Sequence, residues 1–320
     1  MTTIGEFELI EQFFGGQFAS YGVNLGIGDD CALLTVPPEK QLAVSIDTLI
    51  GGSHFPRNAD PELIAERALR VSISDLAAMG ADPMWITLAL TIPSAESSWL
   101  SGFSRGLFRA AEEFNVSLVG GDTTRGPLAI TLQVHGSVSP DKSMLRSNAR
   151  VGDLVFVTGT VGDGAAALAV IKKELEVGKS AFSYFMGRYY TPKILVRQAQ
   201  ALATVSRCAI DVSDGLLADL GHICKASGVG AVIEAERLPL SDPLRKLCDP
   251  DTALNWALAG GDDYQLCFTV PPAKIARLEE IQEQHQIEFT AIGEIVRGDE
   301  CVCLSGGRVV VPEKTGYKHF

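Results

Sequence analysis

Six aspartate sites constrain this chain more than any other feature, because most sit where an apolar run gives way to Gly or Ser. They read Gly26-Ile-Gly-Asp29-Asp30, Ser45-Ile-Asp47, Ser74-Asp75, Gly120-Gly121-Asp122, Asp211-Val-Ser-Asp214-Gly215 and Gly260-Gly261-Asp262-Asp263. Strand ends that aim carboxylates at one spot, with glycines that let backbone approach, suit several hard cations and a polyphosphate. Mg2+ takes oxygen ligands and favours one or two carboxylates plus waters and substrate phosphates. A single Asp at any of these places is as well explained by a helix cap or a turn. Six together point to a multi-metal nucleotide enzyme.

Charge leads the same way. The chain has 320 residues and a net charge of −12, which excludes the basic face that nucleic-acid binding requires. A ring of Asp repels an anionic nucleotide, so cations must lie between protein and phosphates. Seven cysteines with no C-x-x-C pattern read as reduced structural residues of a cytoplasmic protein. The acidic N-terminus has no signal-peptide pattern, and no apolar run is long enough to span a bilayer.

Hydrophobic periodicity predicts helices over 7–14, 60–80 and 99–114 and strands over 42–46, 85–92, 116–119 and 128–138. The short strand is expected to stop at Asp47, and the 116–119 strand to end at Gly120-Gly121-Asp122. This order gives a compact α/β unit with a mixed sheet. Asp60-Pro61-Glu62 marks a helix start. Asp75 then falls near that helix's C-terminus, where a carboxylate is unfavourable without a compensating cation. The polar, basic stretch 139–152 marks a domain boundary. Beyond it, strands are expected at 154–157, 208–212, 231–234, 265–270 and 288–296, with helices from 165 and over 192–204, 215–227 and 273–284.

Two glycine patterns carry little. Gly178-Lys179-Ser180 lacks the upstream Gly and strand of a P-loop. Gly159, Gly162 and Gly164 have the wrong spacing for a dinucleotide fingerprint and read better as close strand–helix packing, with helix amides available to an anion. No nucleophile elbow is present. His54, in a loop after Asp47, is a better ligand contact than His135 inside a strand, and His222 and His285 read as surface helix residues.

Several segments in order along the whole chain resemble thiamine-monophosphate kinase. They are Gly26-Ile-Gly-Asp-Asp30, Ser45-Ile-Asp-Thr48-Leu-Ile-Gly-Gly-Ser-His54, Ser72-Ile-Ser-Asp75-Leu-Ala-Ala-Met-Gly80, Val119-Gly-Gly-Asp122, Asp211-Val-Ser-Asp214-Gly, Leu258-Ala-Gly-Gly-Asp-Asp263-Tyr and Gly316-Tyr-Lys-His-Phe320. The Gly-Gly-Asp and Asp-x-Ser-Asp-Gly elements are similar to those of the wider aminoimidazole-ribonucleotide synthetase-like superfamily. The resemblance implies a two-domain α/β (α+β) fold. Residues 1–145 would form an N-terminal metal- and ATP-binding domain whose mixed sheet completes a barrel across a homodimer. Residues 146–320 would form a C-terminal α/β domain adding metal, nucleotide and substrate contacts.

It also implies ATP-dependent conversion of thiamine monophosphate to thiamine diphosphate by direct in-line transfer with several Mg2+ ions. No catalytic side chain is implied, because the acceptor oxygen is an already ionised phosphate. Asp30, Ser45, Ile46, Asp47, Asp75, Asp122, Asp211 and Asp214 would hold metal. Gly121, Arg146 and Ser213 would contact the nucleotide, and His54, Asp262 and Tyr317 thiamine monophosphate. Two positions depart from the family pattern, which usually has Glu at Asp262 and often Trp at Tyr317. The rival readings are a selenophosphate- or aminoimidazole-ribonucleotide-type synthetase and a non-catalytic metal or nucleotide binder. Selenophosphate chemistry would want a reactive Cys near the N-terminus, and the first 25 residues have none.

Overall fold

The computed structural model describes residues 5–15, 20–313 and 316. The chain divides into two compact units, residues 1–76 with 81–140 and residues 77–80 with 141–320. Among the described residues no helix is long and apolar enough to cross a membrane.

In the first unit the order is α1 (Glu6–Phe14), β1 (Val23–Leu25), β2 (Leu33–Leu34), β3 (Gln41–Ile50), α2 (Pro61–Ala78), β4 (Asp82–Ile92), α3 (Ser97–Phe114), β5 (Ser117–Arg125) and β6 (Ala129–Val138). The main sheet runs β3-β6-β4-β5. The β3–β6 and β6–β4 pairs are antiparallel and β4–β5 is parallel, as the expected mixed sheet requires. Asp60 starts α2 by accepting the Glu62 amide at 2.9 Å, and Asn115 ends α3 in the left-handed region at φ 53°.

Two sequence expectations need correction. β3 does not stop at Asp47, and β5 does not end before Asp122; both carboxylates lie inside paired strands. The ladder continues because its polar residues pair across it, with Thr48 Oγ1 and Thr131 Oγ1 2.9 Å apart. The second consequence is an apolar face that points outward. Along β3, Leu42, Val44, Ile46 and Ile50 are 48, 49, 60 and 42% exposed, whereas Leu49 is buried. A strand alternates its faces, so these four share one side of the sheet.

Helices α2 and α3 touch closely. Arg105 and Arg109 pair with Glu62, Arg109 also with Glu66, and Arg70 with Glu113. At Gly106 the contact is backbone to backbone: a Cβ there would sit 2.0 Å from the Glu62 carbonyl oxygen.

The second unit contains β7 (Leu154–Thr158), α4 (Asp163–Ile171), α5 (Lys179–Tyr190), α6 (Val196–Leu202), β8 (Cys208–Asp211), α7 (Leu216–Ser227), β9 (Gly230–Glu234), α8 (Asp242–Leu247), α9 (Pro250–Ala259), β10 (Leu266–Val270), α10 (Ile275–His285), β11 (Phe289–Val296), β12 (Cys301–Ser305) and β13 (Arg308–Val310). Its seven-stranded sheet runs β13-β12-β9-β11-β7-β10-β8. The helix expected over 192–204 is shorter, because residues 192–195 are irregular after Pro192 and α6 begins only at Val196. Helix α5, with Gly178 at its N-cap, accounts for the Gly-Lys-Ser triplet. Helix α4 precedes it, so no P-loop strand stands upstream.

Gly106→Ala should lower unfolding stability by about 1–3 kcal/mol, because overpacking at the helix crossing forces backbone apart. Gly221→Ala, inside α7 with open space around the added methyl, should be neutral or stabilising by about 0.5–1 kcal/mol. Denaturant unfolding of both variants beside wild type checks the pair; equal effects would mean that the close approach at Gly106 carries no weight.

Candidate active site

In the first unit three candidate residues meet. Ser45 Oγ on β3 donates to Asp75 Oδ2 on α2 at 2.5 Å, which brings the helix's last turn onto the strand. Asp47 stands two residues along on the same face as Ser45. Burial, and then the Asp75 charge, raise the Asp47 carboxyl to about 6, against a smaller opposing hydrogen bond from Ser72. The donor set is hard oxygen throughout: two carboxylates and a hydroxyl.

Asp122 is not with them. Asp47 is in register with Leu132, Leu88 and Gly121 across the sheet, whereas Asp122 is in register with Ala89, Thr131 and Thr48. Asp47 lies on one edge strand and Asp122 on the other, three strand spacings or roughly 14 Å away. Their rows also differ by one residue, which turns the side chains to opposite faces. Gly121 lets β5 approach β4; a Cβ there would lie 1.9 Å from the Leu88 carbonyl oxygen.

Asp30 lies on the exposed loop between β1 and β2, and the structure separates it from its neighbour. Asp29 Oδ1 accepts the Asp30 amide at 2.8 Å, so Asp29 serves the turn. Ile46 is on the outward face of β3. His54 follows a tight turn, where its Nδ1 accepts the Ile50 amide at 2.9 Å. That bond puts the proton of the neutral ring on Nε2.

The second unit gathers Asp211, Ser213, Asp214 and Asp262 by joining two loops. Asp211 ends β8 and is buried. The Asp262 amide donates to the Ser213 carbonyl at 2.9 Å and the Tyr264 amide to the Val212 carbonyl at 2.8 Å. Gly261 sits so close that a Cβ would be 2.5 Å from the Ser213 oxygen. Asp262 and Tyr264 both adopt positive φ, 60° and 51°, and the Tyr264 hydroxyl donates to Asp262 Oδ1 at 2.9 Å. Gly316 packs against the Asp214 carbonyl; Tyr317 itself lies outside the described residues. Arg146 lies at the far end of α7, where its carbonyl accepts the Ser227 hydroxyl at 2.7 Å. The 12-residue helix separates Arg146 from Ser213 by roughly 18 Å, so one ligand touching both must be extended.

Sequence reasoning missed two buried carboxylates. Asp219 accepts from the amides of Ser213, Asp214 and Gly215. Burial, then the Asp214 charge, raise it to about 7 while those amides oppose. Asp263 accepts the Gly162 and Gly164 amides at 2.7 and 2.9 Å. Burial likewise raises it to about 7, against Arg188 and the two amides. The anion at the α4 N-terminus is thus the protein's own carboxylate. Signals existed: Asp263 follows a Gly-Gly pair, and Asp219 follows Asp-Gly by four residues. His222 is one turn beyond Asp219, exposed as expected, and its ring lies near the Asp214 and Asp219 carboxylates.

The AIR synthase related protein N-terminal domain model matches residues 28–138, and the C-terminal domain model residues 150–304. A thiamine-monophosphate kinase of Escherichia coli K12 is 46% identical over 319 residues, spanning 99% of this chain and 98% of its own. The chain belongs to the thiamine-monophosphate kinase family. A Bacillus subtilis member is 34% identical, with 98% and 99% of the two chains covered. The crystal structure of the Stenotrophomonas maltophilia K279a kinase superposes with a TM-score of 0.85 at 40% identity, covering 91% and 93%. A structure described as AaThiL complexed with AMPPCP and TMP gives 0.78 at 31% identity, covering 99% and 97%. The Escherichia coli hydrogenase maturation protein HypE, at 19% identity and TM-score 0.75, shares the fold. The two-domain α/β architecture of this kinase family is therefore that of the chain.

The burial of Asp47, with the Asp75 charge beside it, has a measurable signature. Asp47 is held above its ordinary value of 3.8, so the neutral acid is the form the fold prefers. That preference is fully satisfied below about pH 4 and is lost as pH rises through about 6. Asp47→Asn is neutral at every pH. In EDTA it should match wild type in stability near pH 4 and exceed it by about 1–2 kcal/mol at pH 8, after allowance for solvent screening. Urea unfolding at the two pH values checks this, and a variant less stable than wild type at pH 8 contradicts it.

Proposed function

We propose that the protein transfers the γ-phosphoryl group of ATP directly to the phosphate of thiamine monophosphate, giving thiamine diphosphate and ADP, with Mg2+ as the metal. The observation that carries this reading is the Ser45–Asp47–Asp75 cluster, in a chain 46% identical to a thiamine-monophosphate kinase. Two like charges held together in a half-buried place fit a divalent cation, and an all-oxygen donor set fits Mg2+ over zinc. When bound, the metal neutralises the phosphates and stabilises the charge that develops on the transferred group.

Asp30, Asp47, Asp75 and Asp122, with the Ser45 hydroxyl and the Ile46 carbonyl, are assigned to hold metal in the first unit. Asp211 and Asp214 are assigned the same role in the second. Gly121, Arg146 and Ser213 position the nucleotide. His54 offers an Nε2 proton, Asp262 a carboxylate and Tyr317 an aromatic face to thiamine monophosphate. The acceptor oxygen is already ionised, so the chain needs only to align it with the γ-phosphorus and exclude other acceptors.

The active form is a homodimer. The outward apolar stripe of β3 supports this, since contiguous exposed apolar surface marks an association face. In a barrel closed by two copies, that stripe would be covered.

The direct test is purified protein with ATP, Mg2+ and thiamine monophosphate, measuring thiamine diphosphate; no product would end the reading.

A further inference from the structure

We infer that Asp219 is a positioning residue for phosphoryl transfer: its Oδ2 atom fixes the loop that carries Ser213 and Asp214, next to Asp211 at the end of β8. This inference rests on the proposed kinase function. Oδ2 accepts the Ser213, Asp214 and Gly215 amides at 3.0, 3.1 and 3.1 Å. The side chain is buried, so no water competes for those three donors.

Most of the loop's other main-chain groups are also engaged. The Val212 amide donates to the Gln265 carbonyl, the Val212 carbonyl accepts from Tyr264, and the Ser213 carbonyl accepts from Asp262. The Gly215 carbonyl accepts the Asp219 amide at 2.9 Å. The 261–265 loop thus takes the Val212 and Ser213 carbonyls, and one oxygen of Asp219 takes three consecutive amides. Gly215, at φ 128°, holds a shape that side-chain-bearing residues rarely adopt. Nothing else described in this loop accepts from those amides. Moving that oxygen frees the loop to relax, and with it the direction of the Ser213 and Asp214 side chains.

The role depends on the place of one oxygen, not on charge. An amide keeps an acceptor oxygen there, while removing the like charge that faces Asp214. A longer carboxylate keeps the charge and displaces the oxygen. The groups facing Asp219 include Asp214, the three amides, the His222 ring and the buried Cys267 thiol.

The experiment compares wild type, Asp219→Asn and Asp219→Glu as full chains. It measures thermal unfolding, amide hydrogen exchange over 212–216, kcat, and the Mg2+ and ATP concentrations for half-maximal rate. Asp219→Asn should stay within about threefold of wild type in every kinetic value and keep its exchange protection. Asp219→Glu should unfold cooperatively and lose protection at 213–215. It should also lose at least about tenfold in kcat or Mg2+ response, since small misplacements of positioning groups have such effects. The Michaelis constant for thiamine monophosphate should be unchanged. The reverse order, with Asp219→Glu the more active, would make Asp219 a charge-bearing ligand and overturn the inference. So would wild-type kinetics in a folded Asp219→Glu, which would leave only a structural role. If Asp219→Glu fails to fold, Asp219→Asn decides: a folded, inactive amide variant rejects the positioning role. Wild-type protein without thiamine diphosphate formation would sink the kinase reading alone, and the exchange data would still report on the loop.

Discussion

Repulsion between Asp47 and Asp75 organises the first unit's chemistry. A fold selected only for stability would not set a half-buried strand carboxylate against a helix carboxylate and hold its pKa well above the ordinary value. The price is borne by the surroundings: the Ser45 hydroxyl bonds Asp75, and the long paired strand fixes Asp47. Strain of this kind persists only where neighbouring structure over-determines it. Here the neighbours are a ten-residue strand and an eighteen-residue helix, both rigid, so the charges cannot drift apart when no cation is present.

The second unit solves a different problem with the same side chain. The carboxylates proposed for its site, Asp211 at a strand end apart, ride on loops, which are the less rigid parts of a fold. Rigidity comes from buried carboxylates that accept backbone amides and from two loops that share main-chain hydrogen bonds. Asp263 ties the 260–264 loop to the start of α4, and Asp219 ties the 213–215 turn to α7. Adjacent aspartates in one motif therefore divide the labour: Asp262 faces outward with Tyr264, and Asp263 holds the frame.

Much of this was legible in the residues. Periodicity located most of the strands, and the Asp60-Pro61 start and Asp75's place near a helix end were both plain in the sequence. What could not be read was how far the strands run. Gly120-Gly121 and Asp47 look like strand terminators, yet cross-strand pairing carries β5 and β3 past them. That is why Asp122 seemed to point to the same spot as Asp47. Asp219 was invisible for another reason. An acid in the first turns of a helix is ordinary, and only three dimensions show that it serves the turn before its own helix. Helix α5, with Gly178 at its cap and five aromatic residues, Phe182, Tyr184, Phe185, Tyr189 and Tyr190, within it, gives no clean periodic signal.

The carboxylate of Asp219 occupies a run of successive backbone amides, and that of Asp263 takes two amides at the start of α4; in many nucleotide-binding proteins such groups grip phosphate oxygens directly. This unit has turned its own anion sockets inward and filled them. A bare polyphosphate arriving there meets further aspartates and finds those amides engaged. An anion is therefore a misfit at these sockets unless it brings its own positive charge.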